Sequence, residues 1–366
     1  MVRIDEIYTN TFRAWLDRYR PGTRLFCCDP FGRSDADSVI SYGDNSEKYY
    51  NYIFFFDQEP IDLARHFATF QRVRMYNEDV EMDCPNPGYL ITSEQDSASV
   101  DQICEHYGWT KLYYFFHGWA ALDWFRGYDR GFLMPAPKDR QITRTFIMPN
   151  RIVAGEREHR LIMLYHIFKY GMPNNWISCP AVCPAENTSI LDAVNPLTDR
   201  YPDIKEVFAQ QQFPKEFPNE SGAPMHSCWL SLFDESASSL LYLVTETVAT
   251  GHRLHLTEKT FKPICLRMPF IIVGTQGSLK YLRSYGFKTF GNLWDESYDD
   301  EINDDQRIEK IAFTVKAMDI LPQDEKQRLF DMAEEVCEHN YNHFYNGGFE
   351  QILWQELMEM LDGIAV

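Results

Sequence analysis

No run in this sequence reaches the roughly 18 apolar residues that a membrane-spanning helix needs. Its first residues, Met-Val-Arg-Ile-Asp-Glu, lack the charged-then-apolar pattern of a signal peptide. Paired Cys-x-x-Cys spacings are missing too. The nine cysteines are an odd, scattered set, which argues against a disulfide framework and predicts reduced thiols in a soluble, cytoplasmic protein. Glycine-rich phosphate loops of the P-loop and dinucleotide kinds are absent. So is any basic stripe: 35 Lys and Arg stand against 54 Asp and Glu, a net charge of −19. Binding to nucleic acid by charge neutralisation needs such stripes. DNA and anionic membranes are therefore disfavoured as partners, although a basic cleft can sit on an acidic body. The densest acidic stretch, residues 295–305, reads as a solvated loop.

What is present is a well-packed α/β chain. Its 366 residues, 45% hydrophobic and 15% aromatic, suit two domains of ordinary size. Helical spacing over 4–19 leads to an apolar strand at 24–28, a polar loop over 31–48 and a buried strand at 52–56. A helix over 61–70, a strand at 89–92, a helix over 100–107 and a strand at 112–116 follow. Residues 134–144 read as a linker. Beyond it come a strand at 145–148, a helix over 157–170 closed by Gly171, and strands at 176–179 and 240–245. A helix starting at Thr257, a strand around Ile271, a helix over 305–339 and a last one over 348–362 complete the pattern. Such alternation predicts parallel sheets. We expect two Rossmann-like domains facing across a cleft: 1–140 on the acceptor side, 141–345 for a nucleotide-sugar donor, and a helix over 346–366 that can cross back to the first domain.

The most informative segment is His255-Leu-Thr-Glu-Lys-Thr-Phe-Lys-Pro263 with the apolar run Met268-Pro-Phe-Ile-Ile-Val-Gly274. It sets a Thr-Glu-Lys triplet at a helix start, where free backbone N–H groups and the helix dipole favour a phosphate ester. Lys259 can neutralise the phosphate and Glu258 can accept from sugar hydroxyls. Equally, Thr257 can be a plain N-cap with Glu258 and Lys259 as a solvated first turn. Polar groups also recur at predicted strand ends: Asp29, Asp57, Glu59, Glu94 and His117 in the first half, Asn150 and Glu246 in the second. Ligands bind open parallel sheets at that edge.

These residues resemble the donor domain of GT-B glycosyltransferases, most closely the α1,3-fucosyltransferase family. Tyr242-Leu-Val-Thr-Glu246, Leu256-Thr-Glu-Lys259 and Pro269-Phe-Ile-Ile-Val-Gly274 stand where that family has a strand ending in an acid, a Thr-Glu-Lys helix start and an apolar strand reaching glycine. Asn150 followed seven residues later by Arg157 matches its opening spacing, with Arg160 one turn further as a substitute. The resemblance covers about 130 residues, roughly the length of one domain. It implies that Asn150, Arg157, Arg160, Glu246, Thr257, Glu258 and Lys259 bind the donor: Arg157 and Lys259 the diphosphate, Glu258 the ribose. It also implies a base from an acid before a proline in the first domain. In Asp57-Gln-Glu59-Pro60 that is Glu59, with Asp57 as rival. The continuation Thr-Phe-Lys-Pro and the long insert at 247–255 depart from the family and leave sugar and nucleotide base open.

An inverting transfer needs such a base to take the acceptor's proton. His117, Trp119 and Asp123 suit an acceptor platform, a tryptophan face stacking on sugar C–H groups; an aromatic core at helical spacing explains them equally well. Asp35-Ala-Asp37 lacks a strand directly before it, and His339-x-x-x-His343 lacks a third ligand, so no metal and no other cofactor is expected. The sequence therefore predicts a metal-independent, inverting glycosyltransferase moving sugar from a nucleotide-sugar to a hydroxyl acceptor, a glycan first. The alternatives are a DNA glycosyltransferase acting on a hydroxymethylpyrimidine and a non-catalytic nucleotide-sugar or glycan-binding module.

Overall fold

The computed structural model describes residues 4–19, 23–28, 39–42, 51–56, 59–61, 88–126, 140–217 and 230–365. Asp35, Asp37, Asp57, most of the helix expected over 61–70 and most of the linker lie outside these ranges. The chain divides into two compact units. Met1–Asp123, His252–His255 and Glu350–Val366 form the first; Trp124–Gly251 and Leu256–Phe349 form the second. Among the described residues no helix is long and apolar enough to cross a membrane.

The first unit carries a five-stranded sheet in the order β2-β1-β3-β4-β5. The strands are β1 (Thr23–Cys28), β2 (Val39–Tyr42), β3 (Asn51–Phe56), β4 (Tyr89–Thr92) and β5 (Thr110–Tyr113). β1, β3, β4 and β5 run parallel, with Leu25 opposite Ile53, Phe54 opposite Leu90 and Ile91 opposite Leu112. β2 is an antiparallel edge strand, Phe26 opposite Ser41, and it corrects the loop expected over 31–48. Val39, Ile40 and Tyr42 carry strand character there, too short a run to show as alternation.

A second correction falls at the other edge. The run Leu112-Tyr-Tyr-Phe-Phe116 is not one strand: β5 stops at Tyr113, and a helix, α1, spans Phe116–Arg126. Tyr114, Phe115 and Phe116 are buried, so the apolar run spans a strand end and a buried helix start. Periodicity alone does not separate the two. The helix α2 (Gly348–Ala365) packs in the same unit: Trp119 of α1 meets Trp354 of α2 edge-on at 4.6 Å.

In the second unit the four-stranded sheet is parallel throughout, in the order β11-β10-β6-β7. It comprises β6 (Arg144–Met148), β7 (Trp176–Ile177), β10 (Ser239–Thr245) and β11 (Phe270–Val273), and a short hairpin supplies β8 (Val182–Cys183) and β9 (Thr188–Ser189). Every residue of β10 and β11 is buried, as strands covered on both faces require. The helix expected over 305–339 is broken into Asp304–Asp319, Gln323–Met332 and Glu334–Tyr345. Pro322 explains the first break, because it disfavours helical backbone at the residue before it.

Candidate donor site in the second unit

The site grows from the carbonyl ends of three adjacent strands. After β6, Asn150 is buried, and its backbone N–H donates to Ser178 Oγ just past β7, at 2.9 Å. Its side-chain oxygen accepts from Thr245 Oγ1 at the end of β10, at 2.7 Å. Three strand ends are thus stitched side to side, and the Asn150 Nδ2 donor is buried with no hydrogen-bond partner among the described residues. A buried amide donor without an acceptor is costly, so a ligand that supplies one gains from it.

Glu246 follows β10, and its carboxylate faces protein rather than solvent. Oε1 accepts from the Thr257 N–H at 3.1 Å and from Thr260 Oγ1 at 2.6 Å; Oε2 accepts from Thr257 Oγ1 at 2.5 Å and the Thr247 N–H at 3.2 Å. Four donors occupy both oxygens, so Glu246 positions the following helix start. The helix α3 (Glu258–Cys265) has Thr257 as N-cap. It is held from the other side by Phe261, fully buried and stacked at 5.2 Å on Phe349, with Phe287 and Phe344 around it.

At this start Lys259 Nζ donates to Thr247 Oγ1 (3.0 Å), Thr257 Oγ1 (3.1 Å) and Glu258 Oε1 (3.0 Å). Lys259 keeps partial exposure whereas Glu258 is buried. The N-cap reading of Thr257 therefore holds, but the first turn is no freely solvated stretch: hydroxyls aim the ammonium.

Arg160 spends its guanidinium on carbonyls, Nη1 on Ile152 (2.7 Å) and Nη2 on Thr245 (3.0 Å) and Glu246 (2.9 Å). It locks the loop after β6 onto the end of β10. Arg157 ends a single turn, Gly155–Arg157, and is half-buried. His159 lies beneath, fully buried, its Nε2 at 3.0 Å from the Glu246 carbonyl. Burial pushes this imidazole down to about 3; Arg160 adds repulsion, the Glu246 carbonyl pulls the other way, and Arg157 and Lys259 add smaller repulsions. It is neutral at neutral pH and senses three cations at one sheet edge.

The loop after β11 is tied off separately. Arg307, buried, donates from Nε to the Gly274 carbonyl (3.0 Å), from Nη2 to that of Ala249 (2.7 Å) and to Asp304 (2.5 Å), and from Nη1 to that of Glu301 (2.8 Å). A Cβ at Gly274 would sit 2.6 Å from Ser278 Oγ and force that side chain to move. Asp299 caps the next helix, accepting from the Leu279 and Lys280 N–H groups, while Glu296 accepts from the Phe290 N–H and Thr289 Oγ1. These contacts correct the reading of 295–305 as a solvated loop.

The structure thus brings Asn150, Arg160, Glu246, Thr257, Glu258 and Lys259 into one network with His159, Thr245, Thr247, Thr260 and Ser178, which sequence reasoning missed. Thr260 meets Glu246, fourteen residues before it in the chain, and none of these residues carried a local signal. In the first unit the acceptor platform fails at Trp119. The ring is 0% exposed against Trp354, and no sugar can stack on it. Its neighbours are buried as well: His117 meets His255 edge-on at 4.9 Å, and Asp123 Oδ2 accepts from the Ile4 N–H. The core reading of this segment is the one the packing supports. His339 and His343 direct their Nε2 atoms at the carbonyls of Gly286 and Tyr285.

No known protein-family profile matches the sequence, and no curated protein matches it. Among solved structures the chain is similar to the DNA-modifying enzyme β-glucosyltransferase, described with and without its substrate uridine diphosphoglucose: 10% identity, TM-score 0.41, covering 85% of this chain and 75% of that one. It is similar also to a mutant of the T4 phage enzyme in complex with UDP-glucose, at 10% identity, TM-score 0.42, covering 85% and 74%. Likeness at this level leaves function to be argued from the site's own geometry.

Proposed function

We propose that the second unit binds a nucleotide-sugar at the Thr257 helix start and that the protein transfers the sugar to a hydroxyl acceptor. The observation that supports this best is the Lys259 ammonium, aimed by Thr247, Thr257 and Glu258 at a capped helix start on the carbonyl edge of a parallel sheet. Such an edge beside a capped helix N-terminus suits a diphosphate. Lys259 and Arg157 would hold the diphosphate and stabilise its charge as it leaves, doing without a metal ion. Glu258 would accept from the ribose, and the Asn150 amide would donate to the donor. Glu246 and Arg160 would position these groups rather than touch the ligand. In the first unit Glu59, half-buried before a buried Pro60, is the proposed base.

Thermal stabilisation by a panel of nucleoside diphosphates and nucleotide-sugars, with and without EDTA, tests the reading. A ligand at 100 times its Kd adds about 2.7 kcal/mol by mass action. We expect one nucleotide family to raise the midpoint with or without EDTA in the wild type and to fail in Lys259→Ala. No shift from any nucleotide would leave the segment a helix cap. Acceptor class is then read by release of the same diphosphate in the presence of oligosaccharides or of hydroxymethylpyrimidine DNA. Binding without release in any mixture would favour the non-catalytic module.

A further inference from the structure

In the first unit, a buried carboxylate outside the proposed machinery sits directly beyond β4. Glu94 is 1% exposed, and its backbone N–H is held by Thr92 Oγ1 at 3.1 Å. Its Oε1 accepts from the Ile61 N–H at 2.5 Å. Arg253 Nη1 lies 3.4 Å from the Ile61 carbonyl, to which it donates, and 3.7 Å from Glu94 Oε2. One acid and one arginine therefore take both backbone polar groups of Ile61 and close a triangle with each other.

Ile61 stands two residues after Glu59. Between them Pro60 has no N–H and a fixed φ, so whatever pins Ile61 restricts Glu59 through a stiff link. Arg253 is itself well anchored. Its segment pairs antiparallel with 95–98 through a bridge to Ser97, and through the Leu254 N–H to the Asp96 carbonyl (2.8 Å) and the Gln95 N–H to the Leu254 carbonyl (3.3 Å).

We propose that Glu94 and Arg253 are a positioning pair for the Glu59–Ile61 segment, setting the placement and the electrostatic surroundings of the Glu59 carboxylate. This rests on the proposed use of Glu59 as base. Glu94 is too enclosed to meet an acceptor itself, while Glu59 is half-buried. A buried ion pair is weak support for stability, since apolar replacements often serve as well. Here the pair takes the N–H and the carbonyl of Ile61, in the segment that carries the candidate base. Burial raises the Glu94 carboxyl above the ordinary glutamate range, while Arg253, the Ile61 N–H, Ser97 and Lys111 pull it down. Its charge is thus sensitive to the loss of either partner.

The test titrates the Glu59 side-chain carbon by NMR in protein labelled at glutamate, alongside amide exchange at Ile61, in wild type, Glu94→Gln, Glu94→Ala and Arg253→Met. Glu94→Gln removes a negative charge and keeps an acceptor, so the Glu59 midpoint falls while Ile61 exchange stays near wild type. Arg253→Met removes a positive charge, so the midpoint rises. Glu94→Ala removes the acceptor and speeds Ile61 exchange about tenfold. An unmoved Glu59 midpoint in both charge variants overturns the proposal, and faster Ile61 exchange alone would then make the pair a plain structural tie. Failure of the functional reading is separately visible. If the midpoints move while no nucleotide-sugar stabilises the wild type, the pair stands and the transferase reading falls.

Discussion

In the second unit the carbonyl ends of the strands are stitched together by hydroxyls, an amide and arginines, and cationic side chains gather beside them. In the first unit the described strand-end groups beside β4 are acids, Glu94 and Glu59, with one arginine between the acid and the backbone. Parallel strands deliver polar side chains to one edge in both. What differs is how much of that polarity the protein consumes. Glu246 and Arg160, the most conspicuous charges beside β10, have their charged ends engaged by protein groups. A charge at a strand end is thus a poor guide to ligand contact until its hydrogen bonds are counted.

The comparison breaks most visibly where a buried group is removed from each unit. Arg307→Ala leaves several carbonyls and Asp304 without their buried donor, and we expect a cost of about 3–5 kcal/mol with loss of nucleotide stabilisation. Trp119→Ala empties the α1–α2 contact at a similar cost of about 3–5 kcal/mol, but nucleotide stabilisation survives. Denaturant melts read both; a Trp119→Ala protein as stable as wild type but deficient with acceptors would restore the sugar platform. Glu246→Gln comes next, at about 1.5–3 kcal/mol, because an amide cannot accept from all four donors; chemical denaturation measures it, and a neutral result would mean that the helix start holds itself.

Lys259→Ala should cost under about 1 kcal/mol of stability, as partly exposed ion pairs do, yet remove the nucleotide-dependent shift. Equal loss of stability and binding would make Lys259 structural. A last comparison concerns the pH slope. Burial holds His159 at about 3 and His166 at about 4, both from an ordinary 6.5. The unfolded chain takes up these protons first, so this stabilisation is complete above about pH 6.5 and fades as pH falls towards 4. His166→Phe should flatten that slope without altering nucleotide binding, and an unchanged slope would exclude His166 as a contributor.

Much of the alternation was legible because buried strands such as 239–245 and 270–273 announce themselves by apolar runs. Errors fell where a run served two elements, as at Leu112–Phe116, and where a strand was too short to show its period, as at Val39–Tyr42. At the site, the Thr257 cap and Lys259 were readable because the cap bond to the Lys259 N–H and the Lys259 contacts with Thr257 and Glu258 are local. Asn150 with Thr245, Arg160 with the Glu246 carbonyl and Arg307 with Gly274 join residues tens of positions apart, and local pattern carries no trace of such pairings. The acidic stretch 295–305 misled for the same reason: Asp299 and Glu296 find backbone donors that only the fold supplies.

Arg307 has a practical consequence for anyone who wishes to move this loop system to another scaffold. Its one guanidinium binds the turns near residues 249, 274 and 301, though it lies 48 residues beyond the Thr-Glu-Lys triplet. A graft cut to the triplet and its flanking strands would carry Glu258 and Lys259 and leave this fastener behind. The transplantable unit extends at least through the helix Asp304–Asp319.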